Sequence, residues 1–351
     1  MKIDKKLNII FFVASEKGIS GGEKVIYRHS EILNKYFKNV TSEIIPLKKS
    51  KISKYKNSIL KIINKKNKYT GWNIKDVEIK TSHKPKFNVH NPKFRDKYSF
   101  NKKKDFIILP EIFAHLAKDL CIKSKIPYAI FVQNGYALNS TNNFKLLDEA
   151  YKEAKLILSV SDDTTKMINH VYGKYSKNIL KMNLAIGSDK IKKNLKKQNL
   201  ITFMPRKLPM HSQKLIFLLR SKLPKNWKIK ALENISDREF YYYLRKSKLF
   251  LSFSYMEGLG APPIEAAKEG NKVIGYTGEG GKDYWNKPIF TEIPNGNLDL
   301  FMNEIMKFVK SKKSYSIFSN QRIKLLQKYS SESEMKSLKT LVNKIFLKNS
   351  I

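Results

Sequence analysis

LFLSFSYMEGLGAPPIEAAKEGNKVIGY, residues Leu249 to Tyr276, is the stretch that decides the fold. Leu249 to Phe253 is a short apolar run, the pattern of a strand buried on both faces. Ser254, Tyr255 and Met256 end it. Glu257-Gly258-Leu259-Gly260-Ala261-Pro262-Pro263 then makes a turn rich in residues that free or fix the backbone. Pro262 and Pro263 suit the first turn of a helix, where a missing N–H costs little. The helix is predicted to run from Ile264 to Glu269 and to close at Gly270. Lys272 to Tyr276 is the next strand. Strand, glycine turn and helix start together form an anion site, because amide N–H groups and the helix dipole point beyond the strand end. Glu257 stands before the turn and Glu265 in the first helical turn, with seven residues between them.

The flanking residues repeat the theme. Leu200 to Met204 reads as a strand, followed by Pro205, Arg206 and Lys207. Helices are predicted over His211 to Ser221 and Asp237 to Ser247, with a strand at Lys228 to Ala231 between them. Carboxyl ends of parallel strands open on the ligand side of such a sheet. A guanidinium at Arg206 can hold phosphate oxygens in a forked pair, and an ammonium adds a point charge. Lys207 and Lys214 compete for that second role. After the stretch, Tyr276-Thr277-Gly278-Glu279-Gly280-Gly281 ends a strand in another glycine loop. Trp285 beyond it reads as core. Carboxylates beside a phosphate site need hydroxyl groups to accept from, and a sugar nucleotide offers both phosphate and hydroxyls.

The first half of the chain is a second set of the same kind. Leu7 to Ala14 is a strand, Ser15 to Gly22 a loop with Gly18, Gly21 and Gly22, and Glu23 to Phe37 a helix by its apolar spacing. The loop is not a G-x-G-x-x-G motif. Strands follow at Thr41 to Leu47, Asp105 to Leu109, Tyr128 to Gln133, Leu156 to Val160 and Lys181 to Ile186. Helices are predicted over Ile112 to Lys123 and Thr164 to Tyr172, the latter capped by Ser161 or Asp162. Capping accounts for Asp162-Asp163, and His83 and His90 lack metal-ligand spacing, so no metal site is expected. Gln133 and Asn134 end their strand as candidate hydrogen-bonding groups. A charged bridge, Ile191 to Lys197, divides the two sets, and a helix over Ser331 to Leu347 closes the chain. Two α/β sets joined by a bridge predict two Rossmann-like domains facing each other across a cleft.

The central stretch resembles the donor-site signature of retaining GT-B glycosyltransferases, those of glycosyltransferase family 4 and its relatives. The match stands as Glu257-Gly258-Leu259-Gly260-Ala261-Pro262-Pro263-Ile264-Glu265, with Leu259 in place of the usual aromatic residue. It covers residues 180 to 330 well and residues 1 to 180 loosely. The resemblance implies an acceptor-binding domain over 1–190, a nucleotide-sugar domain over 191–330, and a C-terminal helix, 331–351, that packs back on the first. It assigns Glu265 to the ribose hydroxyls and Glu257 to a hydroxyl of the donor sugar. Arg206, Lys207 or Lys214, and the amides from Gly258 to Ala261 would hold the departing diphosphate without a metal. It sets Gly21 and Gly22 against the donor diphosphate or the acceptor. Relatives often place a His where this chain has Gln133, and a Pro-Glu where it has Lys282-Asp283. No residue is read as a nucleophile. The implied reaction moves a hexosyl group, with retention, onto a glycan, lipid-linked or other surface-polysaccharide acceptor. No cofactor besides the donor is implied. Two other readings stand beside it: an epimerase or hydrolase of sugar nucleotides using the same site, and a basic nucleic-acid-binding protein.

Composition bounds these readings. The chain has 351 residues, 41% of them hydrophobic, which suits two ordinary domains. One cysteine, Cys121, excludes a disulfide framework. No apolar run is long enough to span a bilayer, and the N-terminal run is too short for a signal peptide. The expected location is the cytoplasm. Lys and Arg number 69 against 30 Asp and Glu, a net charge of +39. Nucleic acid, an anionic membrane or a Lys-rich compositional bias would each account for it. Because the Lys residues are spread throughout, no nucleic-acid partner is expected. Lys48 to Lys68 reads either as a basic amphipathic helix lying on an anionic membrane surface or as a helix on the sheet with a solvated Lys face.

Overall fold

The computed structural model describes residues 6–14, 21–49, 77–80, 92–175, 178–189, 196–311 and 319–348. Most of the Lys48 to Lys68 segment, together with His83, His90 and Gly18, lies outside them. The chain forms two compact units, one of Met1–Val160, Thr164–Met182 and Met335–Ile351, the other of Ser161–Asp163 and Asn183–Glu334.

The first unit is built on seven strands: β1 (Leu7–Ala14), β2 (Val40–Lys49), β3 (Val77–Ile79), β4 (Asp105–Pro110), β5 (Tyr128–Val132), β6 (Leu156–Ser159) and β7 (Ile179–Lys181). Their order is β3-β2-β1-β4-β5-β6-β7. All pairs are parallel except β2 with β3. Helices α1 (Gly21–Tyr36), α2 (Phe144–Glu153) and α3 (Asp162–Tyr172) serve the crossovers. β4 and β5 are buried along their whole length. That is why they read as unbroken apolar runs rather than alternating ones. Ile10, Ile107, Ile130, Leu147 and Tyr151 join in one core.

Two predicted elements differ here. Residues 112–123 do not form one α-helix but a tight 3-10 segment, Glu111–Leu116, followed by a wide π turn, Lys118–Ile122. Every residue from Phe113 to Ala117 is buried, so no single helical stripe faces the core and packing sets the pitch. The strand expected over Lys181 to Ile186 is confined to β7. Beyond it Leu184, Ala185 and Ile186 are buried by packing, and the Ile186 N–H donates to the Tyr329 carbonyl.

The second unit has five parallel strands: β8 (Gln198–Phe203), β9 (Lys228–Ala231), β10 (Ser247–Glu257), β11 (Lys272–Glu279) and β12 (Phe290–Glu292), in the order β12-β11-β10-β8-β9. Its helices are α4 (Pro209–Leu219), α5 (Asp237–Lys246), α6 (Ala261–Lys268), α7 (Leu298–Lys310) and α8 (Ser319–Lys328). A final helix, α9, runs Ser331–Lys348. Ser236 and Glu239 form a capping box that starts α5. Phe203, Leu251, Phe253, Tyr276 and Phe301 fill the core. Among the described residues no helix is long and apolar enough to cross a membrane.

Candidate functional site

In the second unit the strand order reverses between β8 and β10, the position where doubly wound sheets take ligands at their carboxyl ends. The two strands deliver the residues that the sequence singles out. β8 leads into Pro205, Arg206 and Lys207, and β10 ends at Glu257. Lys207 Nζ lies 3.0 Å from Glu257 Oε1, with side chains 38% and 25% exposed. So the pair is joined yet reachable from solvent.

The turn after Glu257 is held by its neighbours. Gly260 stands at the N-cap of α6 with φ +75°, a conformation that suits glycine. No side chain caps the helix. Pro262 and Pro263 have no N–H, so in the first turn only Ala261 and Ile264 carry amide donors. The buried Tyr284 hydroxyl donates to the Gly260 carbonyl at 2.7 Å. The glycine loop after β11 presses on the same turn. A Cβ at Gly280 would sit 2.1 Å from the Gly258 carbonyl oxygen and 2.5 Å from that of Glu257. One at Gly278 would meet Glu257 Cγ at 3.3 Å.

Glu265 lies on α6, with its own partners. Tyr241 of α5 donates its hydroxyl to Glu265 Oε1 at 2.6 Å. Burial, and next the charge of Glu265, push the Tyr241 hydroxyl well above its ordinary range, so it remains a donor. The carboxylate stem borders Gly187, where a Cβ would lie 3.5 Å from Glu265 Cγ. One turn on, the buried Lys268 ammonium donates to the Ile186 and Tyr329 carbonyls. Burial lowers its pKa.

Structure and sequence agree unevenly here. Lys207, Glu257, Gly258 and Gly260 come together at one strand end. Leu259 is buried, as are Gly258 and Gly260 on either side of it. Arg206 and Lys214 are both exposed, and neither has a polar partner among the described residues. Three contributors escaped the sequence reading. Tyr241 is one of three consecutive tyrosines and carried no signal. Tyr284 sat in a segment read only for Trp285, which itself packs on Tyr284 and Phe290 as core. His211 opens α4 with its Nδ1 3.2 Å from the Tyr276 hydroxyl.

The first unit reverses its strand order between β1 and β4, and its candidates also gather at carboxyl ends. Gln133 Nε2 donates to the Gly22 carbonyl at 3.0 Å. Gly21 borders open space. The Gln133 and Asn134 amides donate to Glu111 Oε2 and Oε1 at 3.0 and 3.1 Å. Asn134 Oδ1 accepts from the Tyr136 amide, so that oxygen caps its own turn. Glu111, just past the end of β4, is the hub. Burial pushes its carboxyl up to about 7, although three backbone N–H groups pull the other way.

No family model matches the chain, and no curated protein matches it. Solved structures do. Sucrose-phosphate synthase (tll1590) from Thermosynechococcus elongatus superposes with a TM-score of 0.64 at 10% identity, covering 97% of this chain and 99% of that one. The apo lipopolysaccharide outer core galactosyltransferase WaaB gives 0.60 at 13%, covering 97% and 100%. The catalytic domain of starch synthase IV from Arabidopsis thaliana, bound to ADP and acarbose, gives 0.54 at 11%, covering 99% and 100%. These likenesses show the fold: two Rossmann-like α/β units of the kind found in GT-B glycosyltransferases.

Proposed function

We propose that the chain is a glycosyltransferase that takes its sugar from a nucleoside diphosphate sugar. The observation that carries this reading is the switch point of the second sheet. There a half-exposed Lys207–Glu257 pair, an uncapped helix start at Ala261 and the carboxylate of Glu265 one turn on lie along a single strand–turn–helix segment and the loop beside it. Cations and amide dipoles suit a diphosphate, and carboxylates suit the hydroxyls of ribose and sugar.

In this reading the bond from the anomeric carbon to the diphosphate oxygen breaks, and its electron pair leaves with the diphosphate. Lys207, Arg206 and the α6 dipole stabilise that charge, with Lys214 as a further cation. Glu257 accepts from a sugar hydroxyl and Glu265 from the ribose. An acceptor hydroxyl, from a glycan or a lipid-linked saccharide, closes the new bond on the same face and gives up its proton to the departing diphosphate oxygen. The first unit serves that acceptor, with Gly21, Gly22, Gln133 and Asn134 at its strand ends. The donor is the sole small-molecule requirement and the transferred group a hexosyl. The site of action is the cytoplasm or the inner membrane face.

Calorimetry with a panel of nucleoside diphosphate sugars tests the reading. One donor is expected to bind, and Glu265→Ala to weaken it by at least about tenfold, the loss of one charge-assisted hydrogen bond. Mass analysis of a transfer product then identifies the acceptor. Equal affinity in wild type and Glu265→Ala would sink the assignment.

A further inference from the structure

The first unit carries a concavity at the end of its sheet opposite Gly22, Gln133 and Asn134. It has a volume of about 900 Å³ and lies at the amino ends of β1, β2 and β4. Its charge is one-sided. Lys6, Lys93, Lys102, Lys104 and Arg95 line it, against two carboxylates, Glu43 and Asp105. Both carboxylates are already engaged. Arg95 reaches Glu43 Oε2 through Nε at 2.9 Å and Nη2 at 2.7 Å, and Asp105 Oδ2 through Nη1 at 3.1 Å. Asn8 Nδ2 adds donors to Glu43 at 2.7 Å and Asp105 at 3.1 Å. The four lysines have no carboxylate partner among the described residues.

Two ordinary explanations for lysines do not account for these. Lysines often complement the carbonyl end of a helix. None of the four lies in a last helical turn: Lys6 precedes β1, Lys93 lies in irregular chain beside the Ile44–Phe94 bridge, and Lys102 and Lys104 lie in the turn before β4. Nor are they scattered, since they line one cavity together with an Arg–carboxylate network of one cation and two anions, and five cations against two carboxylates leave the lining with a net charge of +3. Ammonium groups gathered around a concavity repel one another, and an anion relieves that.

We propose that this cavity is an anion site for a phosphate-bearing ligand, separate from the donor site of the second unit. The shared chemistry is a phosphate or diphosphate group held by Lys93, Lys102 and Lys104. Its source is either a soluble phosphate compound or a lipid headgroup.

Titration with inorganic pyrophosphate by calorimetry tests it. Lys102 and Lys104 are exposed, and their turn is fixed by backbone bonds to Asn101, so the Lys102→Glu/Lys104→Glu variant keeps the fold. Its thermal melt should match wild type. Arg206→Glu/Lys207→Glu separates this site from the donor site, and Lys222→Glu/Lys225→Glu controls for net charge. The expected result is at least about tenfold weaker pyrophosphate binding in Lys102→Glu/Lys104→Glu. The other two variants should retain this binding event. Equal weakening by the Lys222→Glu/Lys225→Glu control, or none from Lys102→Glu/Lys104→Glu, overturns the proposal. Flotation with phosphatidylglycerol vesicles against phosphatidylcholine vesicles assigns the source. Capture lost in Lys102→Glu/Lys104→Glu means a headgroup, and pyrophosphate binding without capture means a soluble phosphate.

Discussion

Gly280→Ala probes the turn after β10 without touching a charged group. The new methyl group would lie 2.1 Å from the Gly258 carbonyl oxygen, 2.4 Å from its carbon and 2.5 Å from the Glu257 carbonyl oxygen. All three are backbone atoms, so no flexible side chain can swing aside. Normal contact for such atoms is about 3.4 Å, so one loop must move by more than about 1 Å. Overpacking of this kind costs about 1–3 kcal/mol. The displaced peptide carries Glu257, and a misplacement of about 1 Å in a site can cost on the order of 10²-fold in activity. The measurements are a thermal melt and a nucleotide-sugar titration, beside Gly21→Ala, whose methyl group meets open space. Gly280→Ala should melt lower and bind the donor much more weakly, while Gly21→Ala keeps its melt. A normal melt would refute the packing argument. A lowered melt with wild-type affinity would refute the placement of the donor on this turn.

Three further outcomes are expected. Glu111 holds its proton to about 7 in the folded protein against 4.5 for an ordinary carboxyl. Between those values the unfolded chain binds fewer protons, so stability falls as pH rises, by about 3 kcal/mol, and levels above pH 7. Glu111→Gln should lose that slope in urea unfolding at pH 5 and 7.5, and parallel curves would contradict it. Tyr284→Phe leaves the buried Gly260 carbonyl without its donor and should cost about 1–3 kcal/mol in the same assay; no loss would show that the bond does not anchor the turn. A double-mutant cycle with Lys207→Met and Glu257→Gln should give a stability coupling below about 1 kcal/mol, since the pair is partly solvated. Each single change should lower turnover by about 10²-fold. A larger coupling with unchanged turnover would make the pair purely structural.

The sequence carried most of this architecture because parallel strands buried on both faces leave uninterrupted apolar runs. β1 and β9 match their expected limits, whereas α6 starts at Ala261, three residues before the expected Ile264, because both prolines fit inside its first turn. Where burial has no direction, periodicity fails. Residues 113–117 are enclosed on every side, and no helical stripe could foretell a 3-10 turn followed by a π turn. β10 runs on to Glu257 because Glu257 pairs with Glu279 past the bulge after Ser254, a ladder contact that polar residues do not announce. In the candidate site, glycines and charges next to strand ends were legible as types at positions. The tyrosines were not. Tyr241 and Tyr284 act through hydroxyls reaching 24 positions along the chain, to Glu265 and Gly260, and nothing local marks such a reach. Glu111 was hidden for the same reason, its amide partners lying 22 and 23 positions away.

The twin prolines of α6 have a thermodynamic consequence. A pyrrolidine ring holds φ near −65° in the unfolded chain as well as in the folded one, so these two residues surrender little freedom when the helix forms. The segment is expected to fray less from its first turn than an alanine-rich one would. Binding of the proposed donor would then lose little to ordering the loop, and more of each contact's enthalpy would be retained as affinity. Replacing Pro262 and Pro263 by alanine would return two amide donors to the mouth of the site while loosening it, and the sign of the change in affinity would tell which of the two matters more.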